Sequence, residues 1–266
     1  MNKQLILISG PCAIEDKKTA FEIAKEVKEL CQHWGIRYIF KASYKKANRT
    51  SKDSFTGIGD EAALEIIKEI GEQVGVETIT DVHESSDPPI VSQYVDHLQI
   101  PAFLCRQTAL LEAAGNSGCG VNIKKGQFLS PEAMAFPLEK VLATGNSNVW
   151  LCERGTTFGY NNLIVDATSI ARMKKLNVPV IMDCTHATQQ TNKATGVTGG
   201  DPGLIDTIAL SAIATGADGL FIETHPAPDK AKSDSQTMLA LANLEHTIEQ
   251  VMRIWSTVHQ MSSNEK

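Results

Sequence analysis

No stretch of this chain approaches the roughly 20 consecutive apolar residues that a membrane helix needs, so no spanning segment is expected. A basic run is missing as well. Lys and Arg number 25 against 31 Asp and Glu, a formal net charge of −6. That balance argues against a nucleic-acid partner. Any anionic ligand must be held by a local group of cations inside an acidic molecule. None of the six cysteines, at 12, 31, 105, 119, 152 and 184, forms a C-x-x-C pair. The opening, MNKQLILISGPCAIED, lacks the longer apolar region and small-residue cleavage site of a secretory signal. Reduced thiols and a cytoplasmic location are therefore the expectation. No G-x-G-x-x-G follows the first apolar run, which removes the support for a dinucleotide site. There is no repeat, low-complexity stretch or linker. The expectation is one domain over residues 1–266, with a polar tail from about 260 to 266.

What is present is an alternation. Hydrophobic residues make up 42% and charged residues 21%, an ordinary globular composition that sets disorder aside. Short β-branched apolar runs recur at 5–9, 38–42, 77–82, 97–101, 120–124, 148–153, 178–184 and 219–224. Stretches with apolar residues at helical spacing lie between them. Phe21, Ile23, Ala24, Val27 and Leu30 form one, and Leu64, Ile66, Ile67 and Ile70 another. Leu110, Leu111, Ala113 and Ala114 form a third, and Leu204, Ile208, Ala209, Ala212 and Ile213 a fourth. Asp201-Pro202 has the form of an N-cap followed by proline at the first helical position. Leu241, Leu244, Ile248, Val251, Met252 and Trp255 mark a long last helix. Near-continuously apolar strands linked by helices imply a parallel sheet covered on both faces. Eight such units in 266 residues fit a (β/α)8 TIM barrel. The rival is an open doubly wound sheet.

Barrel enzymes build their sites at the C-terminal ends of the strands. Read in order, those ends carry Cys12, Lys41, Asp81 with His83, Gln99, Lys124, Arg154, His186, and Glu223 with His225. Any one of them alone is ordinarily an exposed rim residue or half of a salt bridge. The set is different, because every strand ends in a group able to ionise, ligate or hydrogen-bond. Closing the barrel makes strands 7, 8 and 1 neighbours, so Cys12, His186, Glu223 and Asp234 can converge. A thiolate, an imidazole and two carboxylates suit a borderline divalent metal such as Zn²⁺, Fe²⁺, Mn²⁺ or Co²⁺, and suit Mg²⁺ less well.

A second group is cationic: Lys41, Lys45, Lys46, Arg49, Arg106, Lys124, Lys125 and Arg154. Lys45 and Lys125 are expected to be solvated loop lysines. Lys41, Lys124 and Arg154 each end a strand that otherwise reads as buried, and buried cations need anionic partners. A phosphate or carboxylate ligand is the natural inference. Asn48, Arg49, Thr50 and Ser51 add donors suited to a phosphate or a sugar. The residues alone describe a metal-dependent barrel enzyme acting on a small polyanion.

Several longer strings carry a resemblance. FKASYKKANRTS (40–51), TDVHE (80–84), QIPAFLCRQT (99–108), NIKKGQFLSP (122–131), ERGTTFGYNNLIVD (153–166), DCTHATQ (183–189) and GLFIETHPAPDKAKSD (219–234) resemble the 3-deoxy-D-manno-octulosonate 8-phosphate synthase family over nearly the whole chain. The resemblance implies a homotetrameric barrel condensing phosphoenolpyruvate, arabinose 5-phosphate and water, with release of phosphate, for the lipopolysaccharide core. The family has a metal-dependent class with Cys after the first strand and a metal-independent class with Asn. Cys12 implies the former, with Cys12, His186, Glu223 and Asp234 as ligands. By the same resemblance, Lys124 and Arg154 hold the phosphoenolpyruvate phosphate beside the backbone of Ala102. Lys41, Lys46 and Gln99 surround its carboxylate, with Ser43 nearby. Asn48, Arg49 and Thr50 grip arabinose 5-phosphate. Arg106, with Phe103 beside it, reaches that substrate's phosphate from a neighbouring subunit. Asp81 and His83 line the floor between the substrates.

The chain departs from the family pattern at Thr198-Gly199-Gly200-Asp201-Pro202, where Ser, two Gly and Arg are usual. It departs again at Ser235-Gln236, where Gly-Pro is usual; this makes Asp234 the least secure ligand. Thr50 stands where Ser is commoner and Ile58 where Pro is common, and no N-terminal β-hairpin is expected. The rival within the same chemistry is the 3-deoxy-D-arabino-heptulosonate 7-phosphate synthase group. Those enzymes use erythrose 4-phosphate and carry Lys-Pro-Arg-Thr after strand 2. This chain has Lys-Ala-Asn-Arg-Thr from Lys46 to Thr50. A non-catalytic sugar-phosphate-binding barrel is the reading from another class. A sialic-acid-type synthase would not need Arg49 and Arg106 together.

Overall fold

Runs such as ILISG and VWLCE have no polar face, and each becomes a strand buried along its whole length. A computed structural model describes residues 4–47, 55–190 and 199–264. In chain order the strands are β1 (Ile6–Gly10), β2 (Arg37–Lys41), β3 (Glu77–Asp81), β4 (His97–Ile100), β5 (Gly120–Lys124), β6 (Val149–Glu153), β7 (Thr156–Phe158), β8 (Asn162–Ile164), β9 (Val180–Asp183), β10 (Gly219–His225) and β11 (Leu239–Ala240). β1 to β6, β9 and β10 pair in parallel in that order. β10 then returns to β1, with Ile6 opposite Gly219 and Gly10 opposite Glu223. The sheet is a closed eight-stranded barrel, and each expected strand forms within two residues of its expected place.

The helices are α1 (Lys17–Trp34), α2 (Asp60–Ile70), α3 (Pro88–Val91), α4 (Thr108–Gly115), α5 (Ala135–Leu142), α6 (Thr168–Lys174), α7 (Ile205–Ala214) and α8 (Leu241–Asn264). α1 shows why they form. Asp16 caps it by accepting from the Thr19 amide at 2.8 Å, and Gly35 ends it in the left-handed region at φ 67°. Ala20, Ile23, Ala24, Val27 and Cys31 form its buried stripe. Asp201 accepts from the Gly203 amide at 3.0 Å, as its Asp-Pro signature suggests, but it caps a short 3₁₀ turn leading into α7. The short α3, α5 and α6 have no long periodic pattern, and neither does the exposed hairpin β7–β8; none of them is apparent from the sequence.

Two cores result. Ile6, Ile8, Ile39, Ile79, Trp150, Cys152, Ile181 and Phe221 fill the barrel. A larger layer lies between strands and helices, including Leu7, Phe40, Leu98, Leu151 and Leu220 with Ile23, Ile67, Leu111 and Ile248. Among the described residues no helix is long and apolar enough to cross a membrane.

Candidate active site and metal cluster

The polar ends of the eight strands meet at one mouth of the barrel. Gly10 allows the first contact, because a β-carbon there would run into the Lys41 carbonyl. That close approach of β1 and β2 puts the Lys41 ammonium against the Cys12 carbonyl, at 3.2 Å. Lys41 is 1% exposed and donates to Glu223 Oε1 at 2.8 Å and to Ser43 Oγ at 3.2 Å, with Asp81 Oδ2 at 3.8 Å. Asp81 also accepts from Ser43 Oγ and from Gln99 Nε2. Asn122 donates to Gln99 Oε1 at 3.1 Å, continuing the line to β5.

On the opposite side, Lys124 donates to Asp183 Oδ2 at 2.6 Å and stands 3.9 Å over the Phe221 ring. Arg154 donates from Nη2 to the His186 carbonyl at 3.1 Å and to Gln189 Oε1 at 2.7 Å. Its Nε is buried without a hydrogen-bond partner. As expected, all three strand-end cations are buried.

The electrostatics follow from this crowding. Burial opposes the charge on Asp81, but Lys41 and Lys46 outweigh it and hold the carboxyl far below its usual range. Burial likewise opposes the ammonium of Lys41, and Glu223 and Asp81 push its pKa above the ordinary value. Lys46 is raised for the same reason, with burial outweighed by neighbouring negative groups. Arg154 differs: burial prevails and lowers its pKa. Burial also lowers that of His83. His83 sits at the edge of the group, its amide donating to Asp87 Oδ2 at 2.8 Å and its Nδ1 buried without a hydrogen bond.

Cys12, Glu223 and Asp234 each present a ligand atom within 4.8 Å of the other two. His186 lies beside this group of three, its Nε2 standing 3.7 Å from an oxygen of Glu223 and 3.7 Å from Asp234 Oδ2. Asp234 stands beside Cys12 and Glu223. Its backbone takes the left-handed region at φ 50°, and its Oδ2 accepts from Cys12 Sγ at 3.0 Å. Asp is one of the few residues that visits that region readily, so losing Gly-Pro after it does not displace the carboxylate. A metal fits this donor set. Glu223 Oε2 is fully buried with no hydrogen-bond partner, facing an imidazole, a carboxylate and a thiol. Without a cation, burial and the nearby carboxylates push the Cys12 thiol far above its usual pKa.

Not every expected residue joins this group. Ala102 is buried in the turn after β4, whereas Phe103 and Arg106 of that loop are exposed. Asn48, Arg49 and Thr50 lie outside the described residues. One expectation is corrected. Lys125 is not a solvated loop lysine but 1% exposed. It faces Glu153 Oε1 at 3.3 Å and donates to Thr156 Oγ1 and the Leu129 carbonyl, each at 3.2 Å. Two charges at the ends of the neighbouring strands β5 and β6 neutralise each other there, which a one-dimensional reading of Lys-Lys-Gly does not reveal. Asp183 was also missed, although it stands three residues before His186 in the DCTH string. So was Ser233, 2.7 Å from Cys12 Sγ.

Comparisons with known proteins place the chain among relatives of one family. The model of a family described as the DAHP synthetase I family matches residues 1–260. A Magnetococcus marinus protein named 2-dehydro-3-deoxyphosphooctonate aldolase is 46% identical over 247 residues, covering 93% of this chain and 86% of the relative. Proteins of the same name from Fusobacterium nucleatum and Caulobacter vibrioides are 46% and 45% identical. They cover 95% and 94% of this chain, and 91% and 88% of their own.

Proposed function

We propose a reaction from the premise that this chain belongs to the DAHP synthetase I family and is a homologue of its 2-dehydro-3-deoxyphosphooctonate aldolases. It is an enzyme that condenses phosphoenolpyruvate with D-arabinose 5-phosphate and water. The products are 3-deoxy-D-manno-octulosonate 8-phosphate and inorganic phosphate, and the pathway served is lipopolysaccharide core synthesis. The observation that carries the substrate assignment is the pair of buried cations Lys124 and Arg154, the latter with an unpartnered Nε, beside a buried S/N/O cluster.

In this reading Lys124 and Arg154 bind the phosphoenolpyruvate phosphate next to the Ala102 backbone. Lys41, Lys46, Ser43 and Gln99 hold its carboxylate. Lys41 and Lys46 keep their protons, because their surroundings raise their pKa values, so they act as fixed positive charges and not as bases. C3 of phosphoenolpyruvate forms a bond to the aldehyde carbon of the sugar, whose oxygen takes a proton. Water adds at C2 as positive charge develops there, and the C2–O bond then breaks to release phosphate. Preorganised cations favour that path by orienting the triply charged substrate and screening its charge. Asp81 and His83 line the floor between the substrates, and Asn48, Arg49 and Thr50 grip the sugar phosphate. Cys12, His186, Glu223 and Asp234 would hold a divalent cation, Zn²⁺, Fe²⁺, Mn²⁺ or Co²⁺. When bound, it supplies Lewis acidity toward the aldehyde.

The assembly is a homotetramer in which Arg106 and Phe103 reach a neighbouring subunit's site. Support comes from aromatic rings exposed on adjoining loops: Phe103 and Phe128 at 57% and Phe158 at 68%. The segments of Phe128 and Phe158 adjoin because the Thr157 amide donates to the Gln127 carbonyl at 3.0 Å. The whole chain acts as one catalytic domain in the cytoplasm.

The test is phosphate release from phosphoenolpyruvate plus arabinose 5-phosphate, before and after EDTA, with Mn²⁺, Zn²⁺ or Fe²⁺ added back. Activity abolished by EDTA and restored by metal is expected. Full activity after EDTA would keep the substrates and remove the metal from the chemistry. The name of the matching family keeps one second reading open. Turnover with erythrose 4-phosphate alone would make that sugar the acceptor.

A further inference from the structure

We propose that Asp183 is a positioning residue that serves both halves of the site with one carboxylate. It holds Lys124 for the substrate phosphate and aims His186 Nε2 into the metal cluster. The inference rests on the reading of Lys124 and His186 given above and goes beyond it. Asp183 is the last residue of β9 and is completely buried. Its Oδ2 accepts from Lys124 Nζ at 2.6 Å and from His186 Nδ1 at 2.7 Å. Its Oδ1 accepts from the His186 amide at 2.8 Å. Three donors therefore converge on two oxygens, two of them on the same one.

The geometry has a consequence for each partner. An imidazole that donates from Nδ1 has its lone pair on Nε2, and Nε2 is the atom 3.7 Å from both Glu223 and Asp234. A carboxylate behind a ligating histidine fixes its tautomer and orientation and strengthens its donor atom. Lys124 is fixed from two sides, by Asp183 and by the face of Phe221 at 3.9 Å. A lysine is otherwise a flexible point charge. Held this way, its ammonium reaches the mouth in one place, with charge partly balanced until an anion arrives.

Asp183→Asn tests this, because it keeps the shape, removes the charge and turns one acceptor into a donor. Two quantities are read in parallel with thermal stability. One is Co²⁺ affinity, by chelator competition and by the visible absorption of the thiolate-containing site. The other is phosphoenolpyruvate KM against kcat with metal saturating. The variant is expected to lose about 10–100-fold in Co²⁺ affinity and to raise KM roughly tenfold or more, a loss of one well-placed ionic contact. Lys124→Met is the contrast, raising KM while leaving Co²⁺ affinity within about twofold. Asp183→Asn with either quantity unchanged overturns the shared role. If that variant does not fold, Asp183→Glu replaces it. Charge retained but displaced should change both quantities in the same direction, and a change in only one overturns the proposal. If the wild-type protein turned over no phosphoenolpyruvate, the functional reading would fail by itself. Inorganic phosphate binding by calorimetry and Co²⁺ affinity would then judge Asp183 alone, by the same two-quantity criterion.

Discussion

The two ends of the barrel both carry buried or half-buried charge, and they use it in opposite ways. At the N-terminal ends of the strands, Arg37 makes a two-point contact with Glu77, at 2.7 and 2.6 Å. His97 Nε2 meets the same carboxylate at 2.7 Å and packs on Trp150, over which Arg37 also lies. Nearby, Lys174 grips both oxygens of Asp218, which also accepts from the Val180 amide. These charges answer each other and fasten strand to strand. At the C-terminal ends, Glu223 Oε2 and Arg154 Nε are buried without hydrogen bonds, and burial depresses the pKa of Arg154. Such an end is stable only because opposite charges stand close by, and it leaves donors and acceptors turned toward a ligand. The comparison teaches that a charge's meaning in a barrel lies in whether the protein has already answered it.

The largest expected effect breaks the unanswered end. Arg154→Met should lower kcat/KM by roughly 10²–10³-fold, the scale for removing one preorganised charge contact. Its melting temperature should not fall, because the fold already disfavours that charge. Steady-state kinetics and a thermal melt on one preparation check both halves. A large drop in stability would mean that Arg154 belongs with the answered charges.

Lys125→Met sharpens the comparison within the catalytic end, because its pair with Glu153 is closed. The two side chains are 1% and 2% exposed. Removing one leaves an uncompensated buried charge, at about 3–5 kcal/mol. The double variant Lys125→Met/Glu153→Gln should recover part of that loss in a denaturant titration. Equal losses in single and double variants would show that the pair is not the source.

The barrel was legible because a fully buried parallel strand writes itself as an unbroken apolar run, and eight such runs alternate with stretches able to form helices. Its register around the mouth was legible too, since position at a strand end determines which residues converge; Cys12, Glu223 and Asp234 cluster there from opposite ends of the chain, with His186 next to the two carboxylates. What was not legible depends on partners in other loops. Lys125 reads as solvent-facing until the end of β6 supplies Glu153. Asp183 reads as a strand terminus until β5 supplies Lys124. The hairpin β7–β8 has only three residues per strand, nearly all exposed, too few for an alternating pattern.

At the closed end the effect is smaller and has a pH signature. Arg37 and then His97 hold the Glu77 carboxyl down at about 2, from an ordinary 4.5. A depressed carboxyl stabilises the fold fully above its unfolded value and loses that contribution as pH falls toward its folded value. Glu77→Gln should therefore lower stability at pH 7 by about 1 kcal/mol, since 37% of the side chain is exposed and water screens it. The gap from wild type should close between pH 4.5 and about 2, with kcat at pH 7 unchanged. Melts at pH 7, 5 and 3 test it, and a gap constant down to pH 3 would assign the loss to packing.

The smallest effect is the strictest test of the distinction, because it concerns a cation at the catalytic end that the protein has already answered. Lys45 stands 3.3 Å from Asp87 Oδ1 and 3.6 Å from Asp60 Oδ2, and its ammonium lies 5.1 Å from the Tyr44 ring centre. With 26% of its side chain exposed, it is a partly screened surface pair. Lys45→Ala should change stability by no more than about 1 kcal/mol and leave kcat/KM within about twofold, the span of a screened rim contact. Nearness to the mouth alone would predict a loss like that of Arg154→Met. If Lys45→Ala cost tenfold or more in kcat/KM, proximity and not the absence of an internal partner would be what makes a rim cation functional.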